Sequence, residues 1–321
     1  MEHVRLGRTG LQVSRLCLGT MTFGLQCDEP TAAAILDRAA DGGIDFLDTA
    51  DVYPLGGDLT TQGHTEEIVG RWLEGRRDRV VLATKCFGRT GPAAFDSGNS
   101  RRHIMDAVEA SLRRLRTDYI DLYQLHAPDH TTPMAETLAA LHELVQEGKV
   151  RYIGHSNLNG WQLAEADHVA RENHFTPFIS AQNRWSLLDR EWEAAVVPAA
   201  IHYKIGMLPY MPLTQGLLTG KVRRGEPLPA GTKIAGSPAT VTDTRLDQLE
   251  RLSKWGAENG YSLLEIALGG LAGRACVGSV VAGASSPEQV RANAGAVLWQ
   301  PTQEELDAID AIAPPPAPPT Y

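Results

Sequence analysis

Eight short apolar runs, each followed by a longer stretch of helical periodicity, constrain this chain more than any other feature. The runs are RLCLGTM at 15–21, IDFLDTA at 44–50, VVLATKC at 80–86, YIDLYQLH at 119–126, VRYIGHSN at 150–157, PFISAQN at 177–183, IGMLPYMPL at 205–213 and VGSVVAGAS at 277–285. Their Val, Ile and Leu content is continuous, as expected of strands covered on both faces in a parallel sheet. Between them, TAAAILDRAADGG, TEEIVGRWLEG, RRHIMDAVEASLRRLR and AETLAALHELVQEG carry the spacing of amphipathic helices, several with Gly or Asn near their ends. Eight strand–helix units imply an α/β fold in which the sheet closes on itself, a (β/α)8 TIM barrel. A doubly wound dinucleotide-binding sheet is the competitor, but no GxGxxG follows any of the strands.

The flanks add to that frame. VRLGRTGLQVSRL reads as a hairpin turning at Arg8 to Gly10 that caps the closed bottom of the barrel. TQEELDAIDAIA reads as one extra C-terminal helix, and the proline-dense tail at 313–321 as extended or disordered. The whole chain, 1–321, is expected to form one barrel domain. Two long connections, 54–63 and 221–242, follow strand C-termini, the face on which barrel active sites form, and are read as functional loops. A net charge of -9 argues against a nucleic-acid partner, which needs a basic face. No apolar run reaches the roughly 18 to 20 residues of a membrane span. The first residues lack a signal-peptide pattern, so the expected location is the cytosol. Cys17, Cys27, Cys86 and Cys276 show no metal spacing and read as reduced thiols. His64, His130 and His155 have no ligand spacing either, and the HEL at 142–144 lacks the second histidine of a zinc helix, so no metal is expected.

Asp48, Tyr53, Lys85 and His126 fall at or just beyond the ends of their strands. A phenol with an ordinary pKa of about 10 is a poor acid at neutral pH unless its anion is stabilised. The Lys85 ammonium is suited to that, and Asp48 is suited to keeping the buried amine charged. His126 could orient a substrate carbonyl or help relay a proton while Tyr53 protonates the developing alkoxide. The expectation is therefore a phenol poised as proton donor near neutral pH, in a site suited to hydride addition to a carbonyl.

The segments LGRTGLQVSRLCLGTMTFG, GIDFLDTADVYP, VLATK, YIDLYQLHAPD, GKVRYIGHSN, PLTQGLLTGK and GASSPEQVRAN, spread over nearly the whole chain, resemble those of the aldo-keto reductases. The resemblance implies a (β/α)8 barrel, NADPH as hydride donor with NADH as the alternative, and Tyr53 as general acid within the tetrad. By similarity, Gly19, Thr20, Met21 and Asp48 line the nicotinamide side. Ser156, Asn157 and Gln182 match the trio that holds its carboxamide, and Tyr210 the aromatic that stacks on its ring. Met211 stands where serine often does, while Pro212, Leu213, Gln215, Gly216 and Lys221 are retained for the pyrophosphate. Gly283, Ser285, Gln289 and Asn293, with Arg291 nearby, match the adenosine 2'-phosphate end, a segment similar also to that of potassium-channel β subunits. Lysine at the position of Gly283 and arginine at that of Gln289 are found in other branches and are absent here.

Phe23, Tyr53, His126 and Trp185 are expected to face the substrate, with Trp192 or Trp299 near the same rim. The hydroxyls and amides of GGDLTTQGH would suit a polyhydroxylated ligand. The resulting expectation is a reductase of aldehydes or ketones, keto-sugars included, acting on a small-molecule partner. The alternative is a nucleotide-sensing subunit that binds NADPH and regulates a partner with little turnover.

Overall fold

The structure, a computed structural model, describes residues 1–317; positions 318–321, the end of the expected tail, lie outside the described residues. The start of that tail is docked: Ala313 is buried and its carbonyl accepts a hydrogen bond from Arg190. Among the described residues no helix is long and apolar enough to cross a membrane.

The expected hairpin is present, with β1 (His3–Arg5) antiparallel to β2 (Gln12–Ser14). Eight parallel strands follow: β3 (Leu16–Gly19), β4 (Phe46–Asp48), β5 (Val81–Cys86), β6 (Ile120–Leu125), β7 (Val150–Ser156), β8 (Ser180–Gln182), β9 (Gly206–Met207) and β10 (Val280–Gly283). β3 to β9 are neighbours in chain order and β10 lies against β3. Bridges from Met207 to Val277 and from Tyr210 to Val281 close the ring. Each of the eight expected strands is found inside its expected run.

The helices are α1 (Glu29–Asp41), α2 (His64–Leu73), α3 (Arg101–Leu115), α4 (Met134–Gln146), α5 (Gly160–Glu172), α6 (Val196–Tyr203), α7 (Asp243–Asn259), α8 (Leu263–Ala272), α9 (Pro287–Ala296) and α10 (Gln303–Ile312). Their starts are fixed by side-chain caps. Asp28 accepts from the Thr31 amide, while Asn159 with Gln162, Ser262 with Glu265 and Thr302 with Glu305 form reciprocal capping boxes. The connection 221–242 is folded onto the barrel: Val222 and Ile234 are buried with Leu217, Leu218, Leu249 and Leu252.

Strand period positions the site. Cys17, Phe46, Ala83 and Leu122 point into the barrel, where they pack with Leu6 and Val13 of the hairpin and form an apolar floor. Two residues further along the same strands, on the same face, come Gly19, Asp48, Lys85 and Gln124. The alternate residues Leu16, Leu18, Leu47 and Leu82 face outward onto Ile35, Leu36, Ile68 and Val69 of α1 and α2. The interior therefore changes from hydrocarbon to a layer holding the Asp48 and Lys85 charges in one strand period.

His155 lies on the outward face of β7. Its ring meets Phe178 edge-on at 5.2 Å, and neither ring nitrogen has a hydrogen-bond partner. Burial pushes its pKa down to about 3. An unfolded histidine takes up a proton near pH 6.5, so the folded state is favoured most above that value and loses its advantage as pH falls toward the folded pKa. His155→Phe should narrow the difference in unfolding free energy between about pH 7 and pH 4 by about 3 kcal/mol. Urea unfolding of both proteins at the two pH values checks this, and an unchanged difference would refute it.

Candidate active site

Lys85 is fully buried, and its ammonium has three oxygen partners. Nζ donates to Asp48 Oδ2 at 2.5 Å and to the Thr49 carbonyl at 2.8 Å, and reaches the Tyr53 hydroxyl at 3.5 Å. Asp48 is also buried, and its other oxygen, Oδ1, accepts from Gln182 Nε2 at 2.9 Å and Gln124 Nε2 at 3.1 Å. Every charge in this layer is thus neutralised or hydrogen-bonded, which a buried ion pair requires.

Room for this arrangement comes from Gly154, which pairs in register with Gln124 on one side and Ser180 on the other. A Cβ there would lie 2.1 Å from Ser180 Oγ and 3.3 Å from Gln124 Cγ. Gln124 was not singled out by the sequence reading. The signal for it is its parity with Leu122 and its register with Lys85.

Burial works against the Lys85 ammonium, but Asp48 and Tyr53 outweigh it and hold its pKa above the ordinary value. For Tyr53, burial raises the phenol's pKa; Lys85 opposes the rise and does not cancel it. This corrects the expectation of a phenol tuned toward neutral pH. Tyr53 holds its proton firmly, and an alkoxide is basic enough to take it. The His126 ring stands edge-on to that of Tyr53, centroids 5.6 Å apart. Burial and then Lys85 bring its pKa down to about 3, so the imidazole is neutral at pH 7. All four expected residues therefore meet at one barrel mouth.

A second polar group adjoins them. Ser156 Oγ donates to the Gln182 carbonyl, Asn157 Nδ2 donates to Ser156 Oγ and to the His126 carbonyl, and Tyr210 OH donates to Asn157 Oδ1. Gln182, expected to meet a nicotinamide, has one amide N–H on Asp48, and its side-chain Oε1 is left to accept from a ligand. Thr20 closes β3 by donating its hydroxyl to the Asp48 carbonyl. Gly19 and Met21 flank it.

After β9, Met211, Thr214, Gln215 and Gly216 all take positive φ, winding Pro212 and Leu213 into a tight turn. The Thr214 amide is bonded to the Met211 carbonyl, and those of Gly216 and Leu218 to the Leu213 carbonyl, so an anion here would depend on the amides between them. A Cβ at Gly216 would meet nothing within 4 Å, so the turn borders open space. Lys221 is exposed just beyond it. At the far side Ser285, Gln289 and Asn293 recur every fourth residue along one face of α9 and its approach, next to exposed Gly283 and Arg291. Ser285 already donates to Gln289 Oε1, which leaves the Gln289 amide nitrogen as the donor. Neutral donors, a helix N-terminus and a left-handed turn suit a dinucleotide.

The aromatic expectations fare differently. Phe23 is fully buried in the core around Ile68. Trp185 is 2% exposed and gives its indole N–H to Glu193, so neither ring presents a wall to open space. Trp192 packs against the same core, and Trp299 lies tilted against Tyr261, centroids 4.4 Å apart, beside α8. The reason is common to all four: each ring has apolar neighbours or a polar partner on the inner side of its loop.

Residues 15–314 match the profile of the Aldo/keto reductase family. An "Uncharacterized oxidoreductase YrpG" of Bacillus subtilis is 40% identical, covering 98% of this chain and 97% of that one. A "Probable voltage-gated potassium channel subunit beta" of Oryza sativa is 36% identical over 97% of this chain and 96% of that one. "Protein tas" of Escherichia coli is 31% identical over 97% of both.

The ion pair makes its own prediction. Asp48→Asn and Lys85→Met each strand a buried partner and should lower the unfolding free energy by about 3–5 kcal/mol. The double variant should lose less than the sum, because the partners are in contact. Denaturant melts of the four proteins test this; strict additivity would contradict the coupling.

Proposed function

The chain belongs to the aldo/keto reductase family, and from that premise we propose that it is an NADPH-dependent reductase of aldehydes or ketones in which Tyr53 supplies the proton. The observation that carries this reading is the buried Lys85 ammonium held between Asp48 and the Tyr53 hydroxyl. The chemistry supplied by the bound nicotinamide is hydride donation to the carbonyl carbon, which leaves NADP+ and puts the electron pair of the C=O π bond on oxygen. That oxygen takes the Tyr53 proton and becomes the alcohol. The phenolate left behind is stabilised by Lys85, whose charge is fixed by Asp48. His126, neutral at pH 7, has a ring N–H suited to the carbonyl oxygen, orienting the substrate and polarising it without a charge of its own.

Ser156, Asn157 and Gln182 Oε1 would hold the carboxamide, with Tyr210 against the ring. The 211–216 turn and Lys221 would take the pyrophosphate, and Gly283, Ser285, Gln289 and Asn293 the adenosine end. With no cation at 283 or 289, the case for NADPH over NADH rests on the α9 N-terminus and Arg291.

A second reading is favoured by one finding, the 36% identity to a probable potassium-channel β subunit. In it the chain binds the nucleotide and reports its redox state to a partner. Sensing alone does not require a proton donor, so turnover separates the two. Tyr53→Phe should lower kcat for an aldehyde by about a hundredfold or more while cofactor affinity, read by fluorescence titration, changes by less than about twofold. An active Tyr53→Phe protein would overturn the assignment of the proton. A wild-type chain that binds the nucleotide and turns over no carbonyl would favour the sensor.

A further inference from the structure

Two loops border the tetrad on one side, and α2 ties them together. Thr65 donates its hydroxyl to the Phe23 carbonyl and its amide to the Tyr53 carbonyl, so the 22–27 turn and the start of the 54–63 loop are anchored on the same residue, at the Tyr53 backbone. Leu25 of the first loop reaches the second, its Cδ2 lying 3.5 Å from where a Cβ of Gly56 would stand. Leu25, Leu55 and Leu59 are 51%, 48% and 47% exposed.

Among the described residues only seven large apolar side chains are this exposed, and the other four, Phe95, Trp161, Ile201 and Leu298, lie on separate segments. Phe95 is covered on one face by the Arg102 guanidinium. Isolated exposed leucines need no explanation, but three on two loops joined through Thr65, one of them leaving directly from Tyr53, do.

The polar groups of the same loop turn on themselves. Asp58 Oδ1 accepts from both the amide and the hydroxyl of Thr60, at 2.9 and 2.6 Å. Thr61 Oγ1 accepts from the Asp58 amide and donates to the Asp58 carbonyl. The Thr60 and Thr61 hydroxyls expected to meet a polyhydroxylated ligand thus hold the loop in shape, and Leu55 and Leu59 stand exposed on either side of the Asp58 carboxylate.

The geometry points to a carbonyl compound with an apolar tail as the substrate, its tail lying on Leu25, Leu55 and Leu59 while its oxygen meets Tyr53 and His126. This rests on the reductase reading and adds the substrate class. A sugar laid on the same surface would set most of its hydroxyls against the three leucines, with the Asp58 carboxylate as an acceptor between two of them.

A fully buried methylene is worth about fourfold in affinity, and one resting on a half-open lip about twofold. With NADPH, kcat/KM should therefore rise about twofold per methylene from propanal to octanal, about thirtyfold in all. Octanal should also exceed fructose. Leu25→Ser, Leu55→Ser and Leu59→Ser should each shrink the octanal-to-propanal ratio, and the triple variant should bring it to within about threefold of unity. Calorimetric titration of the cofactor-free chain with octanol should show the same ranking of variants, independent of turnover.

Turnover with no chain-length slope would overturn the inference and leave the reductase reading standing, as would a slope that the serines do not change. Failure to reduce any carbonyl would sink the reductase reading, and octanol binding that ignores the three serines would then sink this one as well. Serine variants that alter the size of the particle in solution while keeping the ratio would assign the leucines to contact between copies of the chain.

Discussion

A lysine ammonium inside a barrel is the constraint from which the rest of the site follows. Removing it from water is costly, and Asp48 at 2.5 Å offsets that cost only because the carboxylate is itself fully bonded. That requirement accounts for Gln124 and Gln182 on its second oxygen and for the bare Gly154 that leaves them space. It also accounts for the sharp boundary with the apolar floor of Phe46, Ala83 and Leu122 one strand period below. A hydrocarbon layer of the same volume would be at least as stable, so stability does not explain the pair. On the proposed assignment its use is electrostatic: a fixed positive charge beside a hydroxyl that becomes an anion.

The fold was legible because parallel strands buried on both faces leave continuous apolar runs, and all eight runs were strands. The tetrad was legible because its members are polar residues at the ends of those runs, where hydrocarbon was expected. What could not be read was side-chain direction off the strands. Phe23 and Trp185 follow strands as the tetrad does, yet both rings turn to the core, because Thr65 ties down the Phe23 carbonyl and Glu193 captures the Trp185 indole. Gln124 was missed for the opposite reason: a glutamine within a strand carries no mark of being inward until its register with Lys85 is known.

The rim shows the same limit in composition. GGDLTTQGH is rich in hydroxyls and amides, and composition alone suggests a surface that binds polar ligands. Asp58 reverses that reading, since a short acidic side chain in a turn collects the nearest amide and hydroxyl donors before any ligand does. The three leucines, which a sequence reading would assign to the core, face outward beside the exposed Asp58.

Burial acts on the two proton-bearing groups in opposite senses, and the pairing gives the site a direction. It raises the phenol's pKa and lowers that of the imidazole, since in each case the charged form is disfavoured. At pH 7 Tyr53 and His126 are therefore both neutral, and each can donate a hydrogen bond. The fixed charge in contact with the Tyr53 hydroxyl is that of Lys85, paired with Asp48. On the proposed assignment, a carbonyl oxygen arriving between them meets two donors at once, and negative charge growing on it faces Lys85 through the Tyr53 hydroxyl. The reverse reaction needs Tyr53 as a base, in a form that burial makes scarce at pH 7. On the proposed assignment that resting protonation suits proton donation to a carbonyl oxygen, and it comes from burial of the phenol and imidazole, with Lys85 supplying the charge.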